Sequence, residues 1–246
     1  MLEILFLFMV GFVSGLYGTL VGGGALLPIP ILIILGLPAH VAIGTTRFGV
    51  IGLAFAGWWK FHKKKLVNYK LAWLMAVPSV LGAVVGAFWV FEFSAQTLEY
   101  VVAVVTVLVL ILILLNSKAG VERGVGVRGV WRNVIGVGVA GLLGVYSGFV
   151  GGGVATFYAY LLVLVYGRTF LETAGIRKPA AAISSVVVTG IFAWKGAIDY
   201  SLGMALFPGM ALGSYIGAKY SDKIGNVWIK RLFVIVVVVM VGKMLI

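Results

Sequence analysis

Apolar residues along the chain come in long continuous runs, without the alternation of a half-buried strand or the one-sided stripe of a water-facing helix. Charge, glycine and proline divide them into ten segments, at about 2–21, 25–37, 41–61, 70–91 and 97–115, then 130–150, 154–166, 170–194, 201–220 and 227–246. Most approach the ~20 residues that a helix needs to cross a bilayer core. Unbroken Leu/Val/Ile runs lack the dyad repeat of a membrane barrel. The second and seventh segments are shorter, 13 residues each, and both follow Gly-Gly-Gly at the same place in their half of the chain.

The two halves read as copies. A shift of 129 places Gly15, Tyr17 and Gly22-Gly23-Gly24 on Gly144, Tyr146 and Gly151-Gly152-Gly153. After a two-residue gap, a shift of 131 places Gly44, Arg47, Asn68, Tyr69, Gly82 and Gly86 on Gly175, Lys178, Asp199, Tyr200, Gly213 and Gly217. Order and near-constant offset point to duplication. Five crossings per half is an odd number, so the second copy must lie upside down. Lys/Arg positions test this, because cytoplasmic loops carry the excess of cations. With loop 60–65 inside and ten crossings, only Arg47, Lys195 and Lys243 of the 19 cations fall outside. Merging each short segment with its neighbour weakens that bias. The expected fold is therefore an all-α integral membrane protein of two inverted repeats, each of about five hydrophobic segments with a Gly-broken short helix. Residues 1–117 form the first transmembrane repeat, 118–129 a basic cytoplasmic linker and 130–246 the second repeat, with both termini outside.

Composition agrees. Of 246 residues 62% are hydrophobic and 11% charged, less than half the roughly one quarter charged in soluble domains. The net charge of +12 would suggest a nucleic-acid partner in a polar chain, but here it reads as topology, and no nucleic acid is expected. Without cysteine there are no disulfides, thiolate metal sites or cysteine nucleophiles, and His40 and His62 make no ligand cluster. His-Glu-Xaa-Xaa-His, Gly-Lys-Ser/Thr and Gly-Xaa-Ser-Xaa-Gly are absent, so neither an enzyme nor a bound cofactor or metal is expected. The apolar N-terminus lacks the basic start and small-residue cleavage site of a signal peptide and recurs in the second half, which makes it part of the fold.

Three consecutive glycines in an apolar stretch cost a helix about 1 kcal/mol each relative to alanine. The pair of triplets, Gly22, Gly23, Gly24 and Gly151, Gly152, Gly153, predicts two helix breaks, each followed by a short helix with free N–H groups and its positive dipole end toward an anion. Broken helices at matching places of inverted repeats mark a transporter's substrate site. The plainer reading is close helix packing, which a single Gly-Xaa-Xaa-Xaa-Gly would favour and a pair of triplets does not. Tyr17 and Tyr146, just before the triplets, are candidates to hydrogen-bond substrate or ordinary packing aromatics.

Gly44-Thr45-Thr46-Arg47 and its counterpart at Lys178 offer cations in or near the membrane, where charge is expensive and pairs or lines an aqueous path. Arg47 and Lys178 are candidates to flank an anion, with Thr45 and Thr46 as hydroxyl donors, and an arginine fork suits sulfonate or carboxylate oxygens. Snorkelling to the headgroups is the alternative for Arg47. For Arg177 and Lys178 a topology role on the cytoplasmic side is the stronger alternative. Ser184 and Ser185 are weaker candidates, since serine also bonds back to its own helix. No carboxylate falls in mid-membrane, and Glu172 is expected to pair at the surface with a neighbouring arginine. Trp58, Trp59 and Trp194, each beside lysine, read as interfacial anchors.

At these residues the chain resembles the sulfite exporter TauE/SafE family, also described as 4-toluene sulfonate uptake permeases. The likeness covers nearly the whole chain: Gly22-Gly23-Gly24 followed by Pro28, then Ala42-Ile43-Gly44-Thr45, and a weaker copy at Gly151-Gly152-Gly153. The second copy departs from the first, with Phe157 at the Pro28 position and Ile176 at the Thr45 position. The resemblance implies movement of sulfite, sulfoacetate or aromatic sulfonates across the cell inner (plasma) membrane. The residues and the resemblance together predict a secondary transporter of a small anion, working by alternating access around a midplane site at the glycine breaks. An anion channel and a non-transporting membrane scaffold are the other classes. The expected partners are that anion and the lipid bilayer, and the long apolar faces leave a homodimer open.

Overall fold

A computed structural model describes residues 2–20, 22–98, 100, 101, 104, 126–221 and 223. Segment 227–246, most of segment 97–115 and most of the linker 118–129 lie outside the described residues.

The described chain is helical: α1 Leu2–Leu20, α2 Pro28–Ile34, α3 Ala39–Lys63, α4 Tyr69–Trp89 with a 3-10 turn at Val90–Glu92, α5 Trp131–Phe149, α6 Val154–Tyr166, α7 Phe170–Ile176, α8 Lys178–Trp194 and α9 Tyr200–Lys219. Among the described residues four stretches are long and apolar enough to cross a membrane, Leu2–Leu20, Ala39–Lys63, Tyr69–Glu92 and Tyr200–Lys219, and α6 with α7 would do so as a pair bent by 114°. Outward faces are apolar: Val77, Leu81, Leu142, Leu164 and Met204 are each at least 61% exposed. Such faces need a hydrocarbon surround, and the protein is an all-α, multi-pass membrane protein.

Two helix boundaries differ from the sequence reading. The segment expected over 25–37 holds a helix only over Pro28–Ile34. Pro30 has no N–H to bond four residues back, so it fits a first turn and forbids an earlier start. The segment expected as one helix over 170–194 is broken at Arg177, between α7 and α8. Pro179, second in α8, cannot continue the ladder from α7. In the first copy Phe48 stands at the corresponding position, and α3 runs unbroken through it.

Local signals recur between the halves. The Asn68 side chain accepts from the Leu71 N–H at 3.1 Å to start α4, and Asp199 accepts from Leu202 at 3.0 Å to start α9. Each is an N-cap bond worth about 1 kcal/mol.

Packing exchanges the halves. α1 packs most extensively on α9, and α4 on α5; α3 packs on α8 and α9, and α4 also on α8. Glycines bring these backbones together, and several of the contacts recur as counterparts. A β-carbon at Gly82 would strike the Gly141 carbonyl as one at Gly213 would strike Phe12; Gly86 meets Val145 as Gly217 meets Leu16; Gly144 meets Ser79 as Gly15 meets Met210. Gly44, near the start of α3, lies against the Ala197 carbonyl just past α8, while Gly57, near the end of α3, lies against Lys178 at the start of α8. The helices α3 and α8 therefore run antiparallel. Lys64 Nζ donates to Ser221 Oγ at 3.0 Å, so loop 60–65 and the end of α9, both cation-rich, lie at one end of the molecule.

Candidate functional site

The two triplets meet in the middle of this packing. Gly22 and Gly23 in the first, and Gly151 and Gly153 in the second, have φ between 73° and 109°, a conformation that only glycine adopts without strain. The Leu26 side chain lies between the breaks: a β-carbon at Gly23 or at Gly152 would come within 2.7 Å of one of its methyls. The Tyr17 hydroxyl donates to the Gly23 carbonyl and the Tyr146 hydroxyl to the Gly152 carbonyl. Each tyrosine thus ties its own helix to the glycine turn that follows it, and the Gly23 carbonyl also accepts from the Leu26 N–H at 2.8 Å.

The expected helix start follows the second break but not the first. Helix α6 begins at Val154 directly after Gly153, whereas α2 starts four residues past Gly24 with prolines at its first and third positions. Those prolines remove the N–H groups that would face an anion.

Beside the breaks is a cavity of about 80 Å³ lined by Gly18, Gly23, Gly24, Gly151, Val154 and Ala155, and by the cations Arg47, Arg177 and Lys178. Its hydroxyls come from Ser79, Ser147, Tyr158 and Ser184, and among the described residues no carboxylate lines it. A water needs ~10–15 Å³ of such space, so the cavity has room for a group of several heavy atoms. The three cations are 4%, 5% and 2% exposed. Arg47 does not snorkel, and Arg177 and Lys178 are buried rather than set at a headgroup surface.

The cations differ in what holds them. Arg177 donates to the carbonyls of Ala155, Thr19 (3.0 Å) and Leu20 (3.4 Å), two of them at the C-terminal, negative end of α1. Lys178 Nζ donates to Thr19 Oγ1 at 3.1 Å. Arg47 lies against Gly151, and its Nε and Nη2 are buried with no hydrogen-bond partner among the described residues. A buried charge lacking compensation costs several kcal/mol.

Of the residues singled out in the sequence, Gly23, Gly24, Arg47, Gly151 and Lys178 line the cavity, as does Ser184; Gly22, Gly152, Gly153, Tyr17, Tyr146, Thr45 and Thr46 do not. Thr45 Oγ1 accepts from the Asp199 N–H at 2.9 Å, tying α3 to the loop before α9. Thr46 Oγ1 is buried without a hydrogen-bond partner among the described residues. Ser184 and Ser185 bond back to Ala181 and Ala182 in their own helix. Glu172 pairs with Arg168 at 3.6 Å and caps α7 with Thr169. Lys63 sits over the Trp59 ring and Lys195 over Trp194. Sequence reasoning missed Ser79 and Ser147 and gave Arg177 another role. The Arg177 signal was its position beside Pro179, which forces a helix break there.

Comparison with known proteins gives a consistent picture. The family model described as Sulfite exporter TauE/SafE matches residues 7–244. A "Probable membrane transporter protein" of Haemophilus influenzae is 26% identical over 238 residues, 97% of this chain and 92% of that protein. The "Probable membrane transporter protein YfcA" of Escherichia coli K12 is 26% identical over 243 residues, 97% of this chain and 88% of its own. The "Probable membrane transporter protein YdhB" of Bacillus subtilis is 28% identical over 237 residues, 94% of each chain.

Proposed function

The chain belongs to the sulfite exporter TauE/SafE family and is a membrane transporter, and on that premise we propose that it is a secondary carrier of a small anion, sulfite or an organosulfonate, in the cell inner membrane. The observation that carries this reading is Arg47: a buried guanidinium with two nitrogens that have no partner among the described residues, facing a cavity that these residues line with two further cations and no carboxylate. A planar fork with free donors matches two oxygens of a sulfite or sulfonate group. The cavity's size suits such a group rather than a large solute.

Alternating access is supported by the relation between the halves. Counterpart helices α3 and α8 run antiparallel, as inverted repeats require, and several glycine contacts between the halves recur as counterparts, such as Gly82 on Gly141 with Gly213 on Phe12. Repeats 1–117 and 130–246 would rock about the shared glycine breaks, opening the cavity to each side in turn.

A thermal-shift screen of the purified protein tests the reading. Sulfite, sulfate and sulfonates should stabilise it, by about 2.7 kcal/mol at a hundredfold excess over Kd, while acetate does so less and R47Q shows a smaller shift at the same anion concentration. Absence of any anion-dependent shift would count against an anion site.

A further inference from the structure

The cavity's two halves supply cations of different kinds. Arg47 and Lys178 are counterparts under the 131-residue shift, and both line the cavity. An arginine keeps its proton under all physiological conditions, while a buried lysine can shed its own.

Lys178 also has an anchor that Arg47 lacks. Ser214 Oγ donates to the Leu53 carbonyl at 2.6 Å, which uses its one proton. In its 2.6 Å contact with Thr19 Oγ1, Ser214 is therefore the acceptor and Thr19 the donor. That leaves Thr19 Oγ1 to accept from Lys178 Nζ. The chain runs one way, from Lys178 through Thr19 and Ser214 to Leu53. An amine and an ammonium both have an N–H to give to Thr19, so the side chain stays in place whether or not it is charged. In the other half the counterparts of Thr19 and Ser214 are Gly148 and Ala83, and no such chain exists.

Among the described residues that line the cavity, the charged or titratable groups besides Lys178 are Arg47, Arg177 and Tyr158, and Thr19 of α1 and Ser214 of α9 add hydroxyls next to Lys178. Arg177 is compensated by three carbonyls. When the cavity is empty, the Arg47 and Lys178 charges face one space in which the described residues place no carboxylate, and each disfavours the other. An anion between them removes that conflict.

We propose that Lys178 is the proton carrier of the transport cycle, which makes the protein a proton–anion symporter. The Lys178 amine takes one proton from water on the side where the anion enters and becomes an ammonium paired with it. It returns that proton to water on the other side as the anion leaves, and the empty carrier resets with a neutral lysine. This rests on the anion-site reading above.

The test uses sulfate, or methanesulfonate if sulfate does not bind, because neither titrates near neutral pH. Calorimetric binding is measured in two buffers of different ionisation heat, which counts the protons taken up. The wild-type protein should take up about one proton per anion bound. K178R should bind with altered affinity and take up none, and K178M should likewise take up none. In vesicles held at zero potential, a gradient of one pH unit should sustain roughly a tenfold anion gradient, as a tenfold ratio in one partner balances a tenfold ratio in the other. Anion binding without proton uptake in the wild type, or equal uptake in K178R or K178M, would overturn the proposal while leaving the anion site standing. No binding of any sulfur oxyanion would instead overturn the anion site itself.

Discussion

Arg47 of the first half and Gly151 of the second share one space: a β-carbon at Gly151 would fall 2.6 Å from Arg47 Nη1 and closer still to other guanidinium atoms. The glycine break therefore does two things at once. It turns the chain at φ 73°, and its missing side chain leaves room for the cation. Substituting Gly151→Ala should strain the turn and displace Arg47, lowering sulfite uptake on the order of tenfold for each ~1.4 kcal/mol lost. Gly138→Ala is the control, at an α5 glycine with nothing within 4 Å, where alanine should favour the helix by up to about 1 kcal/mol and leave uptake unchanged. Equal effects of the two substitutions would contradict a specific role for the break.

Arg47→Gln keeps much of the side chain's bulk and removes its charge. Charge-assisted hydrogen bonds contribute about 1.5–3 kcal/mol, so sulfite affinity should fall roughly 10- to 100-fold while the empty protein unfolds at a similar or higher temperature. Titration calorimetry gives the first quantity and thermal unfolding the second. A large loss of stability with intact affinity would make Arg47 a structural residue.

Arg177 should behave in the opposite way. Its guanidinium joins the end of α1 to the start of α6 through three carbonyls, and leaving a buried carbonyl unsatisfied costs about 1–3 kcal/mol. Arg177→Gln should lower the unfolding temperature more than Arg47→Gln does, as read by thermal unfolding without any anion present.

Tyr17→Phe and Tyr146→Phe each remove one hydroxyl that holds a glycine triplet. Each should reduce stability by about 1 kcal/mol or somewhat more and change sulfite affinity less than twofold. An affinity loss as large as that of Arg47→Gln would mean the hydroxyls touch the anion.

Much of this was readable in the sequence because its cause was local or repeated. The glycine triplets and the 13-residue α6 depend on residues close in the chain, and the triplet recurs in the second half. The break at Arg177 was also local, in Pro179, but the apolar run around it concealed it. The roles of the polar side chains were less legible. Whether Tyr17 faces an anion or its own Gly23 carbonyl depends on how the turn closes, and Arg177 is satisfied by Thr19 and Leu20 from the other half. No spacing along the chain encodes that contact. Arg47 stood out because a cation in an apolar segment needs an explanation, and its free nitrogens appear only once the two halves are packed.

The most direct measurement is counterflow of radiolabelled sulfite in vesicles preloaded with unlabelled sulfite, comparing wild-type protein, Arg47→Gln and protein-free vesicles. Wild-type vesicles should transiently accumulate label well above the protein-free level, and Arg47→Gln vesicles should not. Wild-type counterflow no greater than in protein-free vesicles, or equal counterflow with Arg47→Gln, would contradict a sulfite carrier working through this cavity.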